Sequence, residues 1–538
     1  MGGRTVNEHA SSGPSGPRAE SARLASLTSW DSDWAGLRVV VAGIGVSGFA
    51  AADTLIELGA SVVVVDSSVT DRAQAQADTL RIVGAEDVLL GEDAVQHLPK
   101  VDGALPDLVV TSPGWRPDQA MLAEATCRGI PVWGDVELAW RVRRRRGRKT
   151  ADWLAITGTN GKTTTVGMTE SMLRAAGLKA VAVGNVGKPI LDALREPVEY
   201  DVFAVELSSF QLHWEESLSP VASVVLNVAE DHVDWHGSYE AYLADKAKVY
   251  ANTQKACVYN AEQIETEHMV EEADVVEGCR AIGFTTGTPA VSMLGVVDGL
   301  LVDRAFIDNR RDHAAELGSL EDLGPVAPRH MVANALAAAA LVRAYGVEPA
   351  AVKAGLQAYL PGDHRIQTVA TIGSVRWVND SKATNPHAAS ASLSAFERVV
   401  WIAGGLSKGV AYDQLVTEHA PRLRAVVLIG RDSSDLAAAL SRHAPNVPVF
   451  PVDPGQTGED RPDSGVEPHG GAEANSAQTG SAIMARAVEV AAAHAEPGDT
   501  VLMAPAAASM DQFDSYAHRG MAFTDTVRAR AARETTEE

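Results

Sequence analysis

Residues 156–165 read ITGTNGKTTT. A phosphate-binding loop asks for glycine, four residues, then Gly-Lys-Ser/Thr. Gly161-Lys162-Thr163 satisfies the end of that pattern, but the leading glycine comes late, at Gly158. An apolar run, Trp153–Thr157, precedes the stretch and the helix-like TTVGMTESMLRAAG follows it, so it stands between a strand and a helix. There the backbone of Gly158, Thr159, Asn160, Gly161 and Thr164, with the Lys162 ammonium, could cradle the phosphates of ATP, and the Thr163 hydroxyl could reach Mg2+. A Gly/Thr-rich turn carrying a surface lysine is the plainer alternative, and the strand–loop–helix placement weighs against it.

A magnesium–ATP site needs further ligands at neighbouring strand ends, where ligands gather in open α/β sheets. Glu206 closes VFAVE, and His232 lies just beyond SVVLNV, in AEDHVDWH. Each alone reads as a solvated carboxylate or a hydrogen-bonded imidazole; their joint placement favours a metal. His232 and His236 have the spacing of a helical zinc pair, but no third ligand or general-base glutamate accompanies them, which argues against zinc. In SYEAYLADKAKVY, at about 100° per residue, Tyr239, Leu243, Lys246 and Tyr250 share one helix face and Lys248 lies opposite. Lys246 is then a cation on an apolar stripe, and Lys248 an ordinary solvated lysine. Burial favours the neutral amine. A neutral amine can add to CO2, giving a carbamate that serves magnesium as an anionic ligand. A lysine that snorkels to the surface is the alternative.

A second glycine motif, Gly43-x-Gly45-x-x-Gly48, follows a strand, opens a helix and has Asp66 at the end of the next strand. Its spacing fits a dinucleotide fingerprint, with the acid on a ribose. It fits equally the pyrophosphate of a UDP-sugar, or glycines that merely tighten a turn. A helix dipole does not tell these apart.

The elements that must position these residues come from a chain of 538 residues, enough for about three to four domains. An apolar share of 46% and a charged share of 22% are those of folded, soluble domains. A net charge of −24 argues against nucleic acid and anionic membranes as partners. RVRRRRGRK at 141–149 is the one strongly basic run, read as a solvated interdomain linker rather than a nucleic-acid patch. Cys127, Cys257 and Cys279 are scattered and odd in number, indicating neither a disulfide framework nor a zinc cluster, and a reducing cytoplasm as the expected location. No stretch approaches the ~20 apolar residues of a membrane helix, and no signal-peptide core is evident. Residues 1–36 read as a disordered tail. A βαβ unit opens region 37–143, with strands at Val39–Ala42 and Val62–Val65 and further candidates at Leu108–Thr111 and Ile130–Trp133. Region 150–361 carries the phosphate loop, a hairpin on Asp298-Gly299 and a helix ended by Gly346. From 362 to 538, VRWVND, RVVWIAGG, AVVLIG, VPVFPV and TVLMAP alternate with helices, which indicates another parallel sheet. Residues 454–481 read as a mobile insertion.

Together these segments resemble the Mur ligases, ATP-dependent amino-acid ligases of peptidoglycan synthesis. GTNGKTTT at 158–165 resembles the family's ATP loop, in which a shortened glycine pattern is normal. ELSSFQL at 206–212 and NVAEDHVDWHGSYEAYLADKAKVY at 227–250 resemble its metal and carbamylated-lysine segments. HRIQ at 364–367, VNDSKATNP at 378–386, AGGLSKG at 403–409 and PAAASMDQFDSYAHRG at 505–520 resemble the member that adds D-glutamate to UDP-N-acetylmuramoyl-L-alanine. Folyl- and polyglutamate ligases share the central domain but are not expected to carry the UDP-type first unit. The resemblance implies an α/β protein of three domains: a Rossmann-like UDP-binding unit, a P-loop-like ATPase domain and a Rossmann-like C-terminal domain.

It also implies roles. Lys162, His232 and Lys246 are the expected catalytic residues, and Thr163, Glu206, His232 and Lys246 (as carbamate) the ligands of two Mg2+ ions. Asn334, His364, Arg365 and Asp380 join the loop in holding ATP. Val46, Ser47, Asp66, Ser67, Ser68, Gly114, Asn185 and His232 face the UDP substrate. Lys382, Thr384, Lys408, Ser509 and Tyr516 recognise D-glutamate, although Tyr516 stands where phenylalanine is expected. ATP would phosphorylate the alanyl carboxylate, and the D-glutamate amine would displace phosphate from the acyl phosphate. Closure of the third domain on the second, hinged near His364-Arg365, is expected to keep water from that intermediate. The enzyme is expected to act as a cytoplasmic monomer.

Overall fold

Runs of β-branched residues such as RVVVA (Arg38–Ala42) and SVVVVD (Ser61–Asp66) are buried almost throughout, as strands covered by helices on both faces must be. The computed structural model describes residues 22–537 apart from 325, 326, 361, 363, 408 and 453–471. Among the described residues three sheets form. The first is all parallel and runs Asp87–Leu90, Ser61–Asp66, Arg38–Ala42, Leu108–Thr111, Val132–Gly134 from edge to edge. Its order reverses at Arg38–Ala42, so the crevice beyond that strand's end is where the Gly43–Gly48 turn lies.

The second sheet runs Ala315–Ser319, Leu300–Asp303, Met293–Val297, Arg280–Phe284, Ala256–Asn260, Ala222–Val225, Asp152–Thr157, Val202–Glu206, Ala180–Gly184. Its central strands are parallel, and the expected hairpin closes one side: Met293–Val297 pairs antiparallel with Leu300–Asp303. Asp298 (φ 50°) and Gly299 (φ 79°) make its turn. The helix Arg329–Tyr345 ends before Gly346, whose φ is 105°. The third sheet runs Gln367–Ile372, Val375–Asn379, Thr500–Met503, Val399–Gly404, Leu423–Ile429, Val449–Pro451. It is parallel as expected except at one edge, where Gln367–Ile372 pairs antiparallel with Val375–Asn379 around Gly373 and Ser374. The half-exposed pattern of that edge strand hid it from the sequence reading.

The chain divides into two compact units, one reaching Asp322 and including Ala333–Ala358, the other comprising Leu323–Val332 and Tyr359–Glu538. The first two sheets thus share one unit. A continuous apolar cluster runs through both, with Trp140 edge-on to Trp153 at 5.0 Å between ring centroids. The Glu137 carboxylate accepts from Glu216 N (3.1 Å), Ser217 N (2.9 Å) and Ser217 Oγ (2.7 Å), which ties the same two sheets by polar contacts.

Several expectations are corrected. The tail was expected to extend through 36, but Ala22–Ser26 is helical and Leu24, Leu27 and Trp34 are buried, because this segment covers the first sheet's apolar helices. Residues 1–21 lie outside the described residues. The insertion expected at 454–481 does not extend that far: 472–481 belong to the helix Ala472–His494, whose later turns bury Ile483, Met484, Ala487 and Val488. The basic run is not simply solvated. Arg143 lies over Trp140 and Arg145 over Trp30, Arg148 donates to the Glu196 carbonyl, and Lys149 pairs with Asp201. Two of the scattered cysteines, Cys257 and Cys279, are spatial neighbours with sulfurs 3.8 Å apart, both free thiols. Among the described residues no helix is long and apolar enough to cross a membrane.

Candidate active site

The phosphate loop leaves the strand Asp152–Thr157 and enters the helix Lys162–Ala175. Gly158 (φ 152°) and Gly161 (φ 84°) take backbone conformations that favour glycine. A Cβ on Gly161 would stand 2.4 Å from Asn334 Oδ1, which places Asn334 against the loop. Gly161 stands at the N-cap of that helix, whose dipole favours an anion there. Neighbours hold the loop in shape. Asn227 accepts from Asn160 N (2.9 Å) and donates to Asn160 O (3.0 Å), and the Thr159 hydroxyl meets Tyr242 OH at 2.6 Å. Thr164 is buried and Thr163 half-buried in the first turn.

Lys246 is 2% exposed, at the centre of a buried edge formed by Tyr242, Asp245, Lys246 and Val249. The helix face expected from Tyr239 and Leu243 is rotated slightly toward Tyr242, and the lysine falls inside as expected. Its Nζ donates to Gly158 O at 3.0 Å, the carbonyl that also accepts from Lys162 Nζ at 2.8 Å. Burial first, and the Lys162 ammonium second, pull the Lys246 amine well below the ordinary lysine value.

Glu206 ends the strand beside Asp152–Thr157 and is 2% exposed. One carboxylate oxygen accepts from Asn185 Nδ2 at 3.0 Å; the other, Oε2, is buried without a hydrogen-bond partner. Asn185, expected at the UDP substrate, therefore meets Glu206, expected at the metal. His232 is in the left-handed region (φ 52°) and lies edge-on to Phe210 at 4.7 Å. His236 turns its ring toward Asp245 and Ser209. Its Nδ1 lies 2.9 Å from Asp245 Oδ2, which His213 Nδ1 also approaches at 2.8 Å. Among the described residues these three side chains form one hydrogen-bonded cluster of donor types that can also hold a metal ion. Burial would raise the Asp245 carboxyl, but the bonds from His213 and His236 and the Lys248 charge hold it well below the usual carboxylate range. Lys248, expected to be solvated, is anchored by Asp245 Oδ1 (3.0 Å) and His213 O (2.8 Å).

At the first glycine turn, a Cβ on Gly48 would lie 1.9 Å from Gly43 O, so helix and strand approach as closely as glycine permits. Asp66 accepts from Ile44 N (2.7 Å) and Ser68 N (2.8 Å), bracing the turn with both carboxylate oxygens. Val46 and Ser67 are exposed, Ser47 half-buried, and Gly114 faces open space.

In the second unit, Asp380 is buried and accepts from Ser392 Oγ and from Ile366 N (3.3 Å). Burial outweighs these bonds and pushes its carboxyl up to about 6. His364 (φ 64°) accepts on Nδ1 from Asn379 Nδ2 at 2.9 Å, and Lys382 N donates to His364 O at 3.3 Å. Lys382 Nζ lies 3.9 Å from the centroid of the Tyr516 ring, a cation–π contact made by the ring rather than the hydroxyl. Thr384 N bonds Lys382 O at 2.8 Å, and Ser509 is buried. Arg519, fully buried, donates to Ser381 Oγ and to the carbonyls of Ser381 and Ala507, pinning these segments together. Burial lowers its pKa to about 9. Lys408 lies outside the described residues.

Comparison with known proteins bears on this geometry. Residues 156–342 match the Mur ligase middle domain, and residues 364–507 match the Mur ligase glutamate ligase domain. A UDP-N-acetylmuramoylalanine–D-glutamate ligase of Streptomyces coelicolor is 53% identical over 497 residues, covering 92% of this chain and 99% of that protein. Its counterpart in Leifsonia xyli is 51% identical over 522 residues, covering 95% and 96%. The chain belongs to the Mur ligase family, among its D-glutamate ligases. A solved UDP-N-acetylmuramate–alanine ligase from Thermotoga maritima shares the fold, at 18% identity and a TM-score of 0.51, covering 92% of this chain and 99% of that one.

A Mur ligase uses ATP with Mg2+. The residues present fit that ion: Glu206 Oε2 is a buried anionic oxygen with no other partner, close to the loop that ends in the Thr163 hydroxyl. Sequence reading missed Tyr242, Asn227, Asp245 and Arg519. Their side chains act on other residues, and no spacing rule relates Thr159 to Tyr242 or Ser381 to Arg519. All four fall inside quoted segments, Asn227, Tyr242 and Asp245 in NVAEDHVDWHGSYEAYLADKAKVY and Arg519 in PAAASMDQFDSYAHRG, but no role was read for any of them.

Proposed function

We propose that the protein joins D-glutamate to UDP-N-acetylmuramoyl-L-alanine with hydrolysis of ATP to ADP and phosphate, through an acyl-phosphate intermediate. The observation that carries this reading is the convergence of Lys162 and the buried Lys246 on one loop carbonyl, next to the strand that ends in Glu206. The helix start at Gly161 and the Lys162 ammonium take the triphosphate. Lys162 gives up its loop carbonyls for the phosphate oxygens as charge develops there. Thr163, Glu206 and His232 would hold Mg2+, which would supply charge neutralisation for the triphosphate. The Lys246 amine, drawn well below the ordinary lysine value by burial, would add to CO2 with release of a proton, and the resulting carbamate would be a ligand for a second magnesium. The first unit's glycine turn, with Val46, Ser47, Asp66, Ser67, Ser68, Gly114 and Asn185, receives the UDP-linked acid. In the second unit Lys382, Thr384, Lys408, Ser509 and Tyr516 receive D-glutamate, and His364, Arg365 and Asp380 complete the ATP contacts. The proposed division is substrate binding at 37–143, ATP binding at 150–361 and amino-acid binding at 362–538. We assign the protein to the cytoplasm, as a monomer.

The test is phosphate release with ATP, Mg2+ and UDP-N-acetylmuramoyl-L-alanine while the amino acid is varied. Release that depends on D-glutamate and is not supported by L-alanine, a diamino acid or a dipeptide is the expected result. Release indifferent to the amino acid would overturn the assignment.

A further inference from the structure

Glu206, His232 and Lys246 lie on three separate segments, and something must hold those segments in register. Ser209 opens the helix Ser209–His213, three residues beyond Glu206. His236 ends the short helix Val233–His236, four beyond His232. Asp245 directly precedes Lys246. A single hydrogen-bonded cluster joins all three. Asp245 Oδ2 accepts from His213 Nδ1 (2.8 Å) and His236 Nδ1 (2.9 Å), and the remaining nitrogen of His236 meets Ser209 Oγ at 2.9 Å. Lys248 closes the set by binding both Asp245 Oδ1 and the His213 carbonyl. The His236 side chain is fully buried and that of Asp245 is 10% exposed, so water competes little for these bonds.

We infer that Asp245 is a positioning residue whose carboxylate, through His213, His236 and Ser209, sets the mutual placement of Glu206, His232 and Lys246 and so the affinity of the site for its divalent cation. This rests on the metal reading under Proposed function. Residues that orient ligands from behind typically change metal affinity 10- to 100-fold when removed. Asp245 touches none of the reacting groups, and its effect is indirect.

The probe is Mn2+ titrated into the whole protein with a non-hydrolysable ATP analogue, read by the electron paramagnetic resonance of free Mn2+. Asp245→Ala is expected to weaken Mn2+ binding about tenfold or more and to leave the KM for D-glutamate within about twofold. Asp245→Asn, which keeps an acceptor oxygen for the imidazoles, is expected to lose less, and Ser209→Ala, which cuts one link, to fall between Asp245→Asn and the parent. If Asp245→Ala does not fold, the latter two variants carry the test. Mn2+ affinity unchanged in folded variants, with only a lowered melting temperature, would reduce the cluster to a structural brace and overturn the inference. Glu206→Gln serves as the control for the underlying reading: if that variant binds Mn2+ as well as the parent, the metal assignment itself fails, whatever Asp245 does.

Discussion

Lys246 is the residue on which chemistry and burial most plainly meet. An ammonium that shares its carbonyl acceptor with a second ammonium is disfavoured by both desolvation and repulsion; a carbamate, being an anion, would turn that repulsion into attraction and would need the cations beside it to offset its own burial. Lys246→Ala is therefore expected to cut the rate of phosphate release at least a hundredfold, with partial recovery on adding acetate; full activity without additive would remove the lysine from the mechanism. Lys248→Ala, which removes one brace of Asp245 and none of the proposed ligands, is expected to lower the rate far less than Lys246→Ala in the same assay. Tyr516 offers a separate test in the second unit. Since its ring, not its hydroxyl, meets Lys382, Tyr516→Phe should leave the KM for D-glutamate within about twofold, whereas Tyr516→Leu should raise it roughly two- to thirtyfold. The types and spacing of Gly158–Thr163, Glu206, His232 and Lys246 were legible in the chain because each sits where a strand ends or a helix face turns inward. The bracing groups were not: Tyr242 meets Thr159 across 83 residues, and nothing local in either stretch records the other.

Elements impose their own constraints. Gly161 combines a left-handed backbone with an approach to Asn334 that a methyl group cannot share. Gly161→Ala is expected to raise the KM for ATP by about tenfold or more, while the melting temperature moves by only a few degrees. Glu215 lies just beyond the helix Ser209–His213 and is 4% exposed. Burial raises its carboxyl from 4.5 to about 8, with the Glu137 charge adding to the shift against a bond from Leu218 N. The folded state thus holds this proton more tightly than the unfolded chain does. Its contribution is complete below about pH 4.5 and is lost as pH climbs through 8. Calorimetry of Glu215→Gln should accordingly show a higher melting temperature than the parent at pH 8.5, and a difference that shrinks toward pH 4.5. Strands of continuous Val, Ile and Leu were found from the chain to within a residue or two. Failures fell on elements with half-buried patterns, such as Gln367–Ile372, and on 22–36, whose Ser-rich composition masks three buried anchors, Leu24, Leu27 and Trp34.

At the scale of the whole molecule, the charge of −24 must still admit anionic substrates. In the proposed reading Lys162 and Lys382 would do this as single cations at the triphosphate and at D-glutamate. No shift of DNA or RNA in a gel at physiological salt is the expected outcome, since the basic run at 141–149 is partly engaged with Trp30, Trp140, Glu196 and Asp201. By itself the sequence determined the alternation of strands and helices, the phosphate loop and the family, because periodicity and short motifs are local properties of a chain. Only the tertiary structure decided that the first two sheets share one core, that Glu206 keeps an unpartnered oxygen, and that Asp245 binds both His213 and His236. Those facts depend on which distant side chains burial forces together, and burial is a property of the packed whole.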